Sequence, residues 1–289
     1  MHGPPAAGRC GRSASASAPV VDTDTRPVVV TGGAGRIGGY LRQGLPAEGF
    51  TTLRFLDRHP IPGEKDVVVG DIGDPDVLDR AFAGARAVVH LAGAQEPDEA
   101  TSEFIHSNVE AVVEILEAMR RNRVPRLIFA STNHADGFSP RSAGFRGESI
   151  ARPDNLYGAT KIFGEALARL YWDRYGIRTA AIRIGSCFDR PTTPRMLGTW
   201  LSPRDAPRLI AACLMSEDLE FAVIPGISAN TRRWWDLAPA LALGYRPQED
   251  AEVYAAEVLA ATGGIDPSLA DDPQGGREAA WISPDRETL

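Results

Sequence analysis

The sequence predicts an α/β protein of the Rossmann type, a doubly wound parallel sheet with a small C-terminal substrate-binding subdomain. Three observations carry that expectation. Short β-branched runs alternate with helical or loop stretches from Val28 onward. The first run ends in a glycine-rich turn that opens a helix, and an acidic residue, Asp57, closes the second run at the spacing of about 20 residues such folds use.

In chain order, residues 27–30 read as the first strand, followed by a helix through Tyr40 and Leu41. Further strands are expected at 52–56, 66–69 and 87–91. From 103 to 119, Ile105, Val109, Val112, Ile115 and Leu116 recur on one helical stripe, and 126–130 supplies another strand. Pro153 and Asp154 signal the start of a long helix over 156–175, and a strand follows at 179–184. Past Ser186 the regular alternation is expected to stop. Residues 27–190 thus read as the dinucleotide-binding core and 191–289 as a capping and C-terminal region. In that region helices are expected near 207–215 and 252–260, a strand at 221–224, and mostly loop from Asp266. Residues 1–26 hold Arg9, Arg12 and Arg26 among Gly, Ala, Ser and Pro without the apolar run of a secretory signal, and read as a disordered tail.

The net charge of −7 offers no long-range attraction to nucleic acid or an anionic membrane, so neither is expected as a partner and an acidic substrate must find a local cation. Cys10, Cys187 and Cys213 are too far apart for a disulfide framework or a zinc spacing; no metal is expected, and a reducing cytoplasm fits best.

Gly32, Gly35 and Gly38 stand directly after the first strand. The first permits the tight turn, the second lets the backbone approach a pyrophosphate, and the third allows close helix–strand packing at the positive helix end. Asp57 is placed to accept hydrogen bonds from adenosine ribose hydroxyls and to repel a 2′-phosphate, which favours NAD over NADP; Arg36 and Arg58 nearby pull the other way. Asp71 and Ile72 would meet the adenine, or Asp71 would simply cap the next helix. Tyr157 and Lys161, four residues apart, share a helix face, so an ammonium stands where it can stabilise a phenolate.

Together with His90-Leu91-Ala92-Gly93 and with Ser131-Thr132 at a strand end, these motifs resemble the extended short-chain dehydrogenase/reductase family over residues 27 to 190. The resemblance implies NAD contacts at Gly32, Gly35, Arg36, Ile37, Gly38, Asp57, Asp71, Ile72, Leu91, Ala92, Gly93, Asn108, Tyr157, Lys161 and Ile184. It also implies catalysis by Tyr157, Lys161 and a hydroxyl at Thr132, with Ser131 as the alternative. Residues 129–134, 183–188, Arg195-Met196, 199–202 and 228–231 further resemble, within that family, the uronate dehydrogenases. That implies a hexuronate as small-molecule substrate, touching Gln95, Thr132, Asn133, His134 and Ser186, with its carboxylate on Arg195, whose planar fork suits it. A sugar epimerase using the same tyrosine and lysine is the competing enzyme, and a non-catalytic NAD sensor the competing class. Symmetric homo-oligomerisation is expected from the fold. His90 reads as a packing residue, Cys187 as pocket wall and Trp234-Trp235 as subdomain core.

Overall fold

The computed structural model describes residues 24–94, 101–145, 147, 151–262, 273–276 and 279. The expectations for residues 1–23 and for Gln95 therefore lie outside the described residues. Seven strands form one sheet: β1 (Val28–Thr31), β2 (Leu53–Asp57), β3 (Val67–Val69), β4 (Ala87–His90), β5 (Arg126–Thr132), β6 (Arg178–Ile184) and β7 (Phe221–Gly226). Their order is β3-β2-β1-β4-β5-β6-β7, and every neighbouring pair is parallel. The direction of winding reverses between β1 and β4, which opens a crevice at the carboxyl ends of those strands.

Both faces are covered because the strands are apolar at consecutive positions. Val28 and Val30 point to one side, against Leu41 of α1 (Arg36–Gly44) and Leu209, Ile210 and Cys213 of α7 (Asp205–Met215). Val29 points to the other, against Val77, Leu78 and Phe82 of α2 (Pro75–Phe82), Ile115 and Met119 of α4 (Ala111–Arg121) and Ala168 and Tyr171 of α5 (Leu156–Tyr175). The period of two along a strand thus sorts one β-branched run into two cores.

Three expectations need correction. The alternation does not stop at Ser186: a crossover through α6 (Met196–Thr199) and α7 returns to β7, which pairs with β6 from Thr179↔Phe221 to Ile184↔Gly226. The irregular stretch between β6 and α7 hid that unit from a reading by periodicity. The helix expected over 103–119 is broken. It runs as α3 (Ser102–Ile105), a π-helical turn (His106–Glu110) and α4, and the wider turn rotates the apolar stripe between its two ends. The N-cap of α5 is Asn155, whose side chain accepts from the Gly158 N–H at 2.7 Å; Asp154 turns its carboxylate elsewhere. At the far end Gly176, in the left-handed conformation, stops the helix.

Beyond β7 lie α8 (Ala238–Ala242) and α9 (Ala255–Ala261), with Trp200 buried against Ala255 and Val258. Among the described residues no helix is long and apolar enough to cross a membrane.

Candidate active site

A cleft of about 910 Å³ runs along the carboxyl edge of the sheet. It is lined by 19 of the 21 residues expected from sequence to form the site: at one end the glycine turn, Asp57, Asp71 and Ile72; in the middle Leu91 to Gly93, Tyr157, Lys161 and Ile184; at the other end Thr132, Asn133, His134, Ser186 and Arg195. Gln95 lies outside the described residues. Asn108 stands behind the wall: it is buried, its Nδ2 donates to the Ala94 carbonyl at 3.0 Å, and its Oδ1 is 2.5 Å from where a Cβ on Gly93 would be.

The glycine end fits a dinucleotide. A Cβ on Gly38 would lie 2.6 Å from the carbonyl oxygens of both Gly32 and Gly33, so α1 can close on the turn only with hydrogen at that position. Asp57, at the end of β2, accepts from the Ala34 N–H at 2.9 Å and from the His59 N–H at 3.1 Å, which fixes the carboxylate at the rim of the turn. Both arginines that argued against NAD are engaged. Arg58 pairs with Glu103 at 2.9 Å; Arg36 donates to the Cys187 carbonyl at 3.4 Å with its guanidinium 4.2 Å above the Phe188 ring. Asp71 accepts from the Gly73 N–H and pairs with His106, which also holds Glu110 from the π turn. Burial raises the Asp71 carboxyl, but the bonds from Gly73 and His106 outweigh it and leave the group below its usual value.

In the middle of the cleft Lys161 is almost fully buried, its Nζ 5.4 Å from the centre of the Tyr157 ring and 5.2 Å from that of Phe129. Burial without a counter-ion pulls its pKa down to about 8, so it still carries its charge at neutrality. Behind it, His90 is buried against Phe129 and pushed down to about 3 by the same cause. The Thr31 hydroxyl accepts the Ala92 N–H at 3.3 Å and lies 2.8 Å from His90 Nδ1; with burial holding its charge off, His90 is a neutral packing residue. Below about 6.5 the unfolded chain takes up a proton there that the folded chain refuses until about 3. In that window acid destabilises the fold by about 1.4 kcal/mol per pH unit. His90→Gln is expected to lose stability less steeply than wild type between about pH 6 and 4 in urea titrations; equal slopes would refute it.

The two candidate hydroxyls are separated by strand alternation. Ser131 Oγ donates to Glu165 Oε1 at 2.5 Å on the far side of β5, where Arg183 also grips Glu165 with bonds of 3.0 and 2.8 Å. Both residues border the cleft, but the Ser131 hydroxyl is committed to Glu165, whereas the Thr132 oxygen accepts from the His134 N–H at 3.2 Å and keeps its proton for a ligand. Asn133, with its amide turned to satisfy both ends, donates to the Ile184 carbonyl and accepts from Arg195 Nη2, each at 3.3 Å. Arg195 also reaches Thr199 Oγ1, which in turn meets Ser186 Oγ at 3.0 Å. Burial, and then the neighbouring Arg141 cation, pull Arg195 below the usual arginine value, while Asp154 opposes them. A carboxylate entering here would relieve both effects.

The sequence missed two cleft features. Asp154 was assigned to helix initiation, yet its side chain is fully buried and holds His134 Nδ1 at 2.9 and 3.1 Å, which fixes the ring at the cleft wall. Phe188, with the Tyr40 hydroxyl bonded to Asp189 at 2.7 Å, ties the segment after β6 to α1 beside the glycine turn. Cys187 lines the cleft with its thiol pushed up by burial to about 12, the opposite of the shift that activates a nucleophile. Trp235 is core, edge-on to Phe145, and neither tryptophan lines the cleft.

A glycine turn at the sheet's switch point and a tyrosine–lysine pair facing it define a dinucleotide-dependent enzyme of the parallel-sheet class. The chain belongs to the NAD dependent epimerase/dehydratase family, whose sequence profile matches residues 28–201. It is 38% identical over 262 residues to a uronate dehydrogenase of Pseudomonas syringae pv. tomato, covering 89% of this chain and 92% of the relative. Its fold is similar to that of a glucuronic acid dehydrogenase from Chromohalobacter salexigens, with a TM-score of 0.82 and 34% identity over 90% of this chain and 99% of that one. It is also similar to the uronate dehydrogenase of Agrobacterium tumefaciens, with a TM-score of 0.80 and 34% identity over 89% and 97%.

Proposed function

We propose that the chain oxidises a hexuronate, glucuronate or galacturonate, at C1 to the aldarolactone with NAD. The observation that carries the substrate class is Arg195: a partly buried guanidinium at the end of the cleft opposite the glycine turn, bonded to Asn133 beside Thr132. A planar fork there suits a carboxylate and gives a neutral hexose nothing to pair with it. The Asp57 carboxylate, fixed at the rim of the glycine turn, supports NAD over NADP, because it would repel a 2′-phosphate there.

NAD, when bound, supplies the hydride acceptor. Tyr157 takes the proton of the C1 hydroxyl as the C1–H bond breaks, so one C=O bond forms, one proton stays on the phenol oxygen and two electrons leave with the hydride. Lys161, buried and cationic, stabilises the phenolate that Tyr157 must be to accept that proton. The Thr132 hydroxyl donates to the reacting oxygen, and Asn133, Ser186 and His134 hold the ring hydroxyls.

The test is NADH absorbance with purified protein, NAD, both uronates, glucose and galactose, with NADP as control. NADH formation from the uronates alone is the expected result. Sugar conversion without net NADH would replace this reading with an epimerase, and silence with every sugar would sink it.

A further inference from the structure

The stretch that the sequence marks as terminal loop returns to the substrate end of the cleft. Pro273 bridges Pro140 in antiparallel fashion, the Gln274 N–H donates to the Ser139 carbonyl at 2.9 Å, and the Gly275 N–H donates to the Gly137 carbonyl at 2.9 Å. Gln274 is the anchor. Only 1% of it is exposed; its Oε1 accepts the Trp235 indole N–H at 2.6 Å, and its Nε2 donates to the carbonyls of Pro140 at 3.2 Å and Gly144 at 2.9 Å. A buried amide engaged at both ends costs several unpaired groups to dislodge.

Two glycines follow the anchor, and each lies flush against a charged group of the site. A Cβ on Gly275 would stand 1.6 Å from Asp154 Oδ2, and one on Gly276 would stand 2.9 Å from Arg195 Cδ and 3.0 Å from Nε. Asp154 is thus closely packed by Gly275, and Arg195 is bounded along its stem. Gly276 has φ +71°, a backbone conformation that itself favours glycine.

We propose that Pro273–Gly276 is a positioning element of the substrate site, which sets the reach of Arg195 toward the substrate carboxylate and holds Asp154 against His134. The inference rests on the reading of Arg195 as the carboxylate clamp. Bidentate pairing needs both guanidinium nitrogens in line with both carboxylate oxygens, so a displacement of about an ångström is costly.

The test uses the full chain as wild type, Gly276→Ala, Arg195→Ala and the double variant, with uronate kinetics and NAD binding followed separately. Gly276→Ala is expected to raise the uronate KM at least about tenfold, with kcat within about threefold and the NAD Kd unchanged. In the Arg195→Ala background the same substitution should change kcat/KM by less than about twofold, because the atoms it would displace are gone. Gln274→Ala, which frees the strap without adding bulk, should give the same split and serves if Gly276→Ala does not fold. An equal loss in both backgrounds, or none in the first, overturns the proposal while wild-type uronate turnover keeps the functional reading. A wild type silent with uronates overturns both.

Discussion

Tyr157→Phe is expected to lower kcat by about a thousandfold or more while NAD affinity stays within about threefold of wild type. Positioned acid–base groups contribute about 10² to 10⁴ in rate, and here one oxygen is both the proton acceptor and the atom that the Lys161 charge stabilises. The substitution removes that oxygen and almost no packing, since the ring stays on the first turn of α5 and only partly buried. A loss of this size corresponds to about 4 kcal/mol of barrier, more than a single lost neutral hydrogen bond explains. Single-turnover formation of NADH at saturating uronate is the measurement. A rate retained within about tenfold would remove Tyr157 from the reaction.

Arg195→Ala is expected to cut kcat/KM for uronates by about 100-fold, chiefly through KM, with no change in NAD affinity. Charge-assisted bonds contribute about 1.5 to 3 kcal/mol each, and about 2.8 kcal/mol corresponds to that factor. The effect falls on KM because the carboxylate sits away from the reacting carbon and its pairing is the same in ground and transition states. Some loss in kcat is also expected, because Asn133 loses the donor that orients its oxygen. Steady-state kinetics on glucuronate and galacturonate check it. An unchanged KM would return Arg195 to the part of an ordinary buried cation and leave the substrate's charge unaccounted for.

What could be read from the sequence was local. The strand, glycine turn and helix around Gly32 to Gly38, the carboxylate of Asp57 and the Tyr157/Lys161 pair each depend on residues within one or two elements, and the fold places all of them on one cleft. What could not be read depends on partners distant in the chain. Ser131 stood as the alternative to Thr132, and its bond to Glu165, which Arg183 also holds, could not be read from the neighbouring residues. Asp154 has the composition of a helix start, and only the neighbouring turn at His134 shows otherwise. Gln274 lies in a run rich in Pro, Gly and Asp that spells loop; its four partners, Trp235, Ser139, Pro140 and Gly144, come from segments that periodicity does not connect to it. β7 was recognised as a strand, but its place beside β6 required a crossover with no clean repeat.

The all-parallel sheet also governs how a fragment of this chain behaves. No two neighbouring strands are joined by a hairpin, so each pairing must wait for the crossover between them and the sheet cannot grow from a short local nucleus. β5 offers a seven-residue edge that β6 covers along its whole length, from Arg126↔Arg178 to Thr132↔Ile184. A chain cut before residue 178, or caught before β6 has docked, would present that edge with its apolar side chains bare. Unpaired edges of this kind join those of other copies, so truncation within α5 should give insoluble protein rather than a smaller soluble domain.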